Sequence, residues 1–231
     1  ISDDSFYMEM KKDYAPEMVT AFIRLNGATV GCVANRSEVY TDGEKTATYD
    51  AALTAAGCEK AAAFVNFCNA FEIPVLTLVN VDGYKNCKCN EKKIAKAAAR
   101  LTYAFANADV PKVTVVVGKA NGTAGLTMNS KSIGSDIVYA WKNAKIGVME
   151  AAPAVKIMYA DEIAKADNAA ALINEKAAQY NEMQASALAA AKRGYVDDII
   201  EASETRQRVA AAFEMLFTKR EDRPSKKHGT I

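Results

Sequence analysis

The sequence predicts an α/β fold in which a parallel sheet is flanked by helices. Residues 113–117 form a run of β-branched side chains, and Val75–Val81 is a second apolar run; both are typical of buried strands. Between them, apolar residues recur at helical spacing over residues 94–108. A strand, a helix and a second strand in this order indicate parallel neighbours, since the helix must cross over the sheet.

The N-terminal half predicts a hairpin, a loop and a helix. Residues 19–25 alternate between apolar and polar, and Asn26-Gly27 separates them from the apolar run at 29–34. Asn-Gly between two such runs is a strong hairpin signal. Residues 35–49 are polar and predict an exposed loop, and the apolar spacing over residues 57–71 predicts a helix.

A glycine-rich segment follows the strand at 113–117. Three glycines lie within residues 118–125, and residues 126–131 predict the start of a short helix. Glycine lets the backbone turn tightly and approach a ligand closely. A helix that begins after such a loop directs free backbone N–H groups at one point, which suits a bound anion or a developing oxyanion.

The C-terminal third is predicted to be mostly helical. Residues 161–192 are alanine-rich and charged, which predicts a long helix or a helical pair that Gly194 ends. Residues 196–200 suit a short strand, Ser203 is placed to cap a last helix, and the charged tail at 219–231 is predicted to be extended.

Composition excludes several classes of protein. The chain has 231 residues, half of them apolar, which is enough for one domain with a substantial core. Its formal net charge is +1, so no nucleic-acid surface is predicted, and no apolar run approaches the roughly 20 residues of a membrane span. Residue 1 is isoleucine, which favours a piece of a longer protein.

Five cysteines, an odd number at scattered positions, predict reduced thiols in a cytoplasmic protein. Cys87-Lys88-Cys89 supplies half of a metal site at most. The only histidine is His228, so we predict no metal.

Ordered motifs along nearly the whole chain resemble the C-terminal domain of biotin-dependent acyl-CoA carboxyltransferases. These are the β-type subunits of propionyl-, methylcrotonyl- and acetyl-CoA carboxylases and the related decarboxylases. The motifs are Phe22–Gly27, Val33-Ala34-Asn35, Lys60-Ala61-Ala62, Ile73-Pro74, Tyr103-Ala104, Val110–Thr114, Lys119-Ala120-x-Gly122, Met128, Ser130-Lys131, Asp136, Tyr139-Ala140-Trp141, Ile146–Met149, Arg193–Asp197 and Lys226–Gly229.

The resemblance implies a crotonase (ClpP-like) superhelix of β-β-α units with C-terminal helices. It implies that residues 1–231 are the single, biotin-side domain, that 161–231 are a mostly helical extension and tail, and that an N-terminal acyl-CoA domain lies outside this chain. The implied reaction moves a carboxyl group between carboxybiotin on a carrier protein and the α-carbon of an acyl-CoA. A thioester enolate and a biotin ureido anion then need stabilisation, while the cofactor supplies the difficult chemistry.

By the same resemblance, the backbone N–H groups of Thr123 and Ala124 form the biotin oxyanion hole. Leu126 is expected to face the acyl pocket. The expected biotin-binding positions are Asn121, Gly122, Gly125, Asp82 and Gly83. The implied partners are the N-terminal domain, a biotin carboxyl carrier protein, a biotin carboxylase subunit as a further candidate, and a second copy in at least a dimer.

The loop differs from the family pattern at four positions: Asn121 and Gly125 replace tyrosines, Thr123 replaces glycine and Leu126 replaces aspartate. These differences keep two alternatives open: a non-catalytic paralogue that serves as an assembly subunit, and another acyl-CoA enzyme of the crotonase fold. The absence of a glutamate or a serine–histidine arrangement near the glycine loop disfavours the second. Lys119 is expected either to steer an anionic substrate or to be solvated.

Overall fold

The computed structural model describes residues 1–41 and 43–221. The predicted extended tail beyond Glu221, with Lys226, Lys227 and His228, lies outside the described residues. The strands are β1 (Tyr7–Glu9), β2 (Met18–Leu25), β3 (Ala28–Asn35), β4 (Glu38–Thr41), β5 (Glu44–Thr48), β6 (Ala52–Leu53), β7 (Val75–Val81), β8 (Gly83–Tyr84), β9 (Lys112–Asn121), β10 (Ile137–Trp141), β11 (Lys145–Gly147) and β12 (Asp198–Ile200). The α-helices are α1 (Ala55–Ala70), α2 (Lys88–Asn107), α3 (Gly122–Thr127), α4 (Ala151–Met158), α5 (Ala160–Lys165), α6 (Ala169–Tyr180), α7 (Ala187–Lys192) and α8 (Thr205–Met215).

One mixed sheet forms the centre of the fold. Its order is β1-β2-β3-β7-β9-β10-β12, and β11 pairs with the end of β9. In this order, neighbouring strands from β3 onward pair in parallel. The two pairs at the other end, β1 with β2 and β2 with β3, are antiparallel. The predicted hairpin, central strands and first two helices are therefore confirmed. Two small ribbons, β4-β5 and β6-β8, lie beside this sheet.

Each face of the sheet is buried against helices. On one face, the strands pack against α1 and α2 in a cluster that includes Val65, Val79 and Leu101. On the other face, Leu76, Val115 and Ile200 pack with Val209 of α8. A parallel strand covered on both faces is apolar at successive positions rather than alternating, which explains the continuous run at 113–117.

The prediction of a loop over residues 35–49 is wrong, because most of this exposed segment is the β4-β5 hairpin. Gly43 turns the hairpin with a φ of +85°, and Glu38 pairs with Lys45 across it. Its side chains are half-buried or exposed, so backbone pairing and a cross-strand charge pair form it rather than an apolar pattern. Helix α2 begins at Lys88, six residues before the apolar spacing that predicted it. Its first turns mostly face solvent, so they carry no apolar pattern that could indicate this start.

The long helix or helical pair predicted over residues 161–192 is wrong, since four helical segments cover this range. Helix α5 ends where Ala166 becomes extended (φ −81°, ψ 137°), and α6 begins after Asn168, whose side chain accepts from the N–H of Ala171. A π-helix at Asn181–Ala185 leads to α7, which Ser186 caps. Both capping residues are sequence signals of helix starts. Gly194, with a φ of +79°, follows α7 as predicted.

Ser203 does not cap the last helix. It lies within the 3₁₀ turn Ala202–Glu204, and α8 begins at Thr205 without a side-chain cap. Thr205 stabilises this start by donating to the carbonyl of Ala202 at 2.8 Å. Within the described ranges, none of the helices is long and apolar enough to span a membrane.

Candidate active site

The candidate site lies where β7 and β9 end at the same edge of the sheet. Strand β9 does not stop at residue 117 as predicted; it continues to Asn121, and α3 begins directly at Gly122. The predicted glycine loop is therefore a strand end and the first turn of a helix. In open parallel sheets, ligands bind at the carboxyl ends of the strands, where helices begin.

Two glycines of this junction leave no room for a side chain. Gly122 has a φ of +57°, and a Cβ there would lie 3.0 Å from the carbonyl oxygen of Val148. A Cβ on Gly125 would lie 2.7 Å from the carbonyl carbon of Ala120, so α3 packs against the end of its own strand. Both glycines therefore fix where the helix begins.

Thr123 fits this junction without backbone strain. It takes helical angles inside α3, and the residue that requires a positive φ is Gly122, which the chain retains. The side chain of Thr123 is exposed. Threonine at position 123 is therefore compatible with the backbone of this junction.

The first N–H groups of α3 point out of the helix without a side-chain cap. Residues 122–124 precede the first intrahelical hydrogen bond, and none of the described side chains caps this terminus. Asn121 occupies the capping position, but its Nδ2 donates to Oδ1 of Asp82 at 2.6 Å. None of the described side chains therefore accepts from the N–H groups of Thr123 and Ala124.

Asp82 is the centre of a small charged network beside this terminus. Lys119 donates to Oδ2 of Asp82 at 2.8 Å and also pairs with Glu150. Burial raises the pKa of Asp82, but hydrogen bonds from Lys119 and Asn121 outweigh it, so the pKa lies below 3.8. Burial lowers the pKa of Lys119, but the hydrogen bonds that Lys119 donates to Asp82 and Glu150 outweigh burial, so the pKa of Lys119 is raised. Lys119 is therefore a half-exposed lysine that two carboxylates pair with.

Thr127 anchors the other end of α3. Its Oγ1 donates to the carbonyl of Thr123 at 2.9 Å and lies 3.1 Å from the hydroxyl of Tyr84. Thr102 of α2 donates to the same atom at 3.4 Å. The helix is thus tied to β8 and α2 as well as to β9.

Two cavities lie on either side of the start of α3 and share Gly122, Thr123 and Val148. We call the first the polar cavity because Asp82, Asn121 and Glu150 line it; it has a volume of about 460 Å³, and its other lining residues are Ala52, Gly83, Tyr84, Gly122, Thr123, Ala124, Val148, Met149 and Pro153. The apolar cavity, of about 570 Å³, is lined by Val79, Thr114, Val116, Ala120, Gly122, Thr123, Gly125, Leu126, Met128, Ser130, Lys131, Ser132, Val138, Ile146, Gly147, Val148, Tyr180, Gln184, Arg193 and Tyr195.

The structure divides the sequence-predicted site residues between these cavities. The polar cavity brings together Asp82, Gly83, Asn121, Gly122, Thr123 and Ala124. Gly125 and Leu126 line only the apolar cavity, which Gly122 and Thr123 line as well.

Sequence reasoning did not assign Tyr84, Glu150, Tyr180 or Arg193 to the site, because folding alone brings these side chains to α3. Asp136 and Trp141 have structural roles, since Asp136 accepts from the N–H of Lys112 and Trp141 donates to Thr205. Within the described ranges, no group of three or more His, Cys, Asp or Glu side chains is arranged to hold a metal ion.

Comparison with solved structures first defines the class of fold. The transcarboxylase 12S subunit, solved as a hexamer with methylmalonyl-coenzyme A and methylmalonic acid bound, superposes with a TM-score of 0.90 at 42% identity, over 99% of this chain and 42% of that one. The architecture is therefore that of the crotonase-fold carboxyltransferases, as expected from the resemblance.

The family follows from the sequence comparisons. The carboxyl transferase domain family matches residues 1–231, and the chain belongs to this family. It is 41% identical to the methylmalonyl-CoA carboxyltransferase 12S subunit of Propionibacterium freudenreichii and 40% identical to the methylmalonyl-CoA decarboxylase subunit alpha of Propionigenium modestum. Both alignments cover 100% of this chain and 43% of the relative. The chain corresponds to the C-terminal part of these proteins.

Proposed function

We propose that this chain is the biotin-side half of an acyl-CoA carboxyltransferase. It would move a carboxyl group between carboxybiotin and the α-carbon of an acyl-CoA. One observation carries the proposal: the uncapped start of α3 separates a polar cavity from an apolar one. A transfer between two bound groups needs this arrangement, with hydrogen-bond donors at the point where the two groups meet.

The polar cavity suits biotin. Asn121 and Asp82 offer hydrogen-bonding groups on one wall, and Gly83 and Gly122 leave space beside the backbone. When bound, carboxybiotin supplies the activated carboxyl group. The N–H groups of Thr123 and Ala124 would donate to the oxygen on which negative charge develops. Each well-placed donor of this kind contributes roughly 3–4 kcal/mol to transition-state stabilisation.

The apolar cavity suits the acyl group. Leu126 is 44% exposed on α3 and lies at this cavity, whose inner wall includes the buried side chains of Val116 and Met128. An aliphatic acyl chain would bury its surface there, at about 25 cal/mol for each Å² removed from water. Gly125 keeps α3 close to β9 and so sets the width of this cavity.

The wider assembly is part of the same proposal. Because the chain spans about 43% of the first relatives, the acyl-CoA half would come from an N-terminal domain outside it. We propose a biotin carboxyl carrier protein as partner, a biotin carboxylase subunit as a further candidate, and a homo-oligomer of at least two copies; the solved 12S relative is a hexamer. The five unpaired cysteines favour the cytoplasm.

The test is decarboxylation of methylmalonyl-CoA and malonyl-CoA by the complete two-domain subunit in the presence of free biotin. We expect biotin-dependent turnover. A folded subunit that binds acyl-CoA but shows no turnover would contradict the proposal and favour an assembly role.

A further inference from the structure

Two thiols meet at the start of α2, outside the proposed active site. Cys87 is the last extended residue before the helix, and Cys89 lies in its first turn. Their Sγ atoms are 3.0 Å apart, Cys87 is half-buried and Cys89 is exposed. An S–S bond is about 2.05 Å long, so bond formation requires an approach of roughly 1 Å.

From this contact we infer that Cys87 and Cys89 form a redox-active dithiol that is oxidised by low-molecular-weight disulfides. The thiolate of Cys87 attacks one sulfur of the disulfide, which forms a mixed disulfide and releases one thiolate. Cys89 then loses its proton and attacks the Cys87 sulfur, which closes the internal disulfide and releases the second thiol. The pair gives up two electrons and two protons, and the external disulfide is reduced to two thiols.

The surroundings favour Cys87 as the attacking thiol. The hydrogen bond from Cys89 and the backbone N–H of Asn90 lower the pKa of Cys87, while the same contact raises the pKa of Cys89. Thiolates at helix N-termini and near cationic side chains are the reactive cysteines of proteins. Cys87 is therefore the nucleophile and Cys89 the resolving thiol.

The other three cysteines provide an internal control. Cys32, Cys58 and Cys68 are buried, and burial raises the pKa of each to about 12. Their thiolate fraction near neutral pH is about a thousandfold below that of an ordinary thiol, so they should not react in the folded chain. A reaction confined to the pair is thus distinguishable from general oxidation.

Oxidation of the pair should also alter the structure around Asn90, the next residue of α2. Asn90, buried in the first turn of α2, donates from Nδ2 to the carbonyl of Lys85 at 2.7 Å and accepts from the N–H of Ala55 at 2.6 Å. Asn90 thereby joins the starts of α1 and α2. Closing the Cys87–Cys89 ring changes the backbone immediately before this junction.

The experiment treats the folded chain with oxidised glutathione and maps the products by mass spectrometry. We expect loss of two hydrogens without a glutathione adduct, an internal disulfide in the peptide carrying residues 87–89, and reversal by dithiothreitol. In Cys89→Ser, one glutathione should remain on Cys87, while Cys87→Ser should react more slowly.

Two results would overturn the inference. One is a native chain that keeps both exposed thiols or accumulates glutathione adducts instead of the internal disulfide. The other is a Cys89→Ser variant that stays unmodified at Cys87. In either case, reaction of the urea-unfolded chain with oxidised glutathione at every cysteine, five in the native chain and four in Cys89→Ser, shows that the reagent was active.

Discussion

Nδ2 of Asn121 donates to Oδ1 of Asp82 at 2.6 Å, which holds the Asn121 side chain away from the helix that it precedes. Asparagine in this position usually accepts from the helix N–H groups and satisfies them. Here the side chain instead donates to a carboxylate that follows the neighbouring strand, and its Oδ1 makes no capping hydrogen bond. The start of α3 consequently stays open between the two cavities.

The first prediction concerns this hydrogen bond. Asp82→Ala should free Asn121 to cap α3 and so occupy the N–H groups proposed to bind the oxyanion. We expect kcat for biotin-dependent decarboxylation by the complete subunit to fall at least ~10-fold, up to the roughly 10²–10³ that loss of an oxyanion donor costs, with little change in KM for the acyl-CoA.

The matched control is the double variant Asp82→Ala with Asn121→Ala, which cannot cap the helix. It should recover part of the lost kcat, even though it removes one more polar group from the cavity. A double variant that is slower than the single one would contradict the capping account.

The second prediction concerns the packing of α3. Gly125→Ala places a methyl group against the backbone of Ala120, so we expect the free energy of unfolding to fall by about 1–3 kcal/mol and turnover to be lost. Gly83→Ala is the stability control, because its added Cβ meets nothing within 4 Å. Denaturant titration compares the two, and equal stabilities would argue against the close contact.

The third prediction is a pH dependence of stability. The pKa of Asp82 is lowered in the folded chain, so its contribution is present above 3.8 and is lost as the pH falls through the lower folded value. Asp82→Asn should therefore be less stable than the wild type at neutral pH, and the difference should shrink as the pH falls below 3.8. Urea titrations across this range measure it; a difference that grows on acidification would refute the assignment.

The fourth prediction concerns the acyl cavity. Leu126 is exposed, so Leu126→Asp should change the free energy of unfolding by less than about 0.5 kcal/mol. It should nevertheless lower kcat/KM about 10-fold or more for acyl-CoAs with apolar chains, because a charge would line their cavity. Leu188→Asp, on an exposed leucine outside both cavities, is the control. Equal effects of the two variants would contradict the role of Leu126.

Local sequence signals accounted for the central sheet because its strands are buried on both faces. The runs at 75–81 and 113–117 are apolar at almost every position, and Asn26-Gly27 turns its hairpin as the dipeptide predicts. The β4-β5 hairpin was missed because it contributes little to the core and carries no alternating apolar pattern.

At the site, the resemblance supplied residues that local patterns could not. Periodicity ended the strand at residue 117, whereas pairing with β11 extends it to Asn121. Glu150 reaches Lys119 only through the tertiary fold, and no spacing in the sequence indicates that contact. Asn121 and Asp82 are 39 residues apart in the sequence, so no local pattern could predict the hydrogen bond between their side chains.

The central claim is that the backbone N–H of Ala124 stabilises negative charge during carboxyl transfer. Replacing Ala124 by lactic acid through nonsense suppression exchanges this N–H for an ester oxygen and leaves the side chain unchanged. The kcat for biotin-dependent decarboxylation by the complete subunit should fall by about 10²–10³, as for loss of one oxyanion donor. A folded ester variant with unchanged kcat would contradict the account.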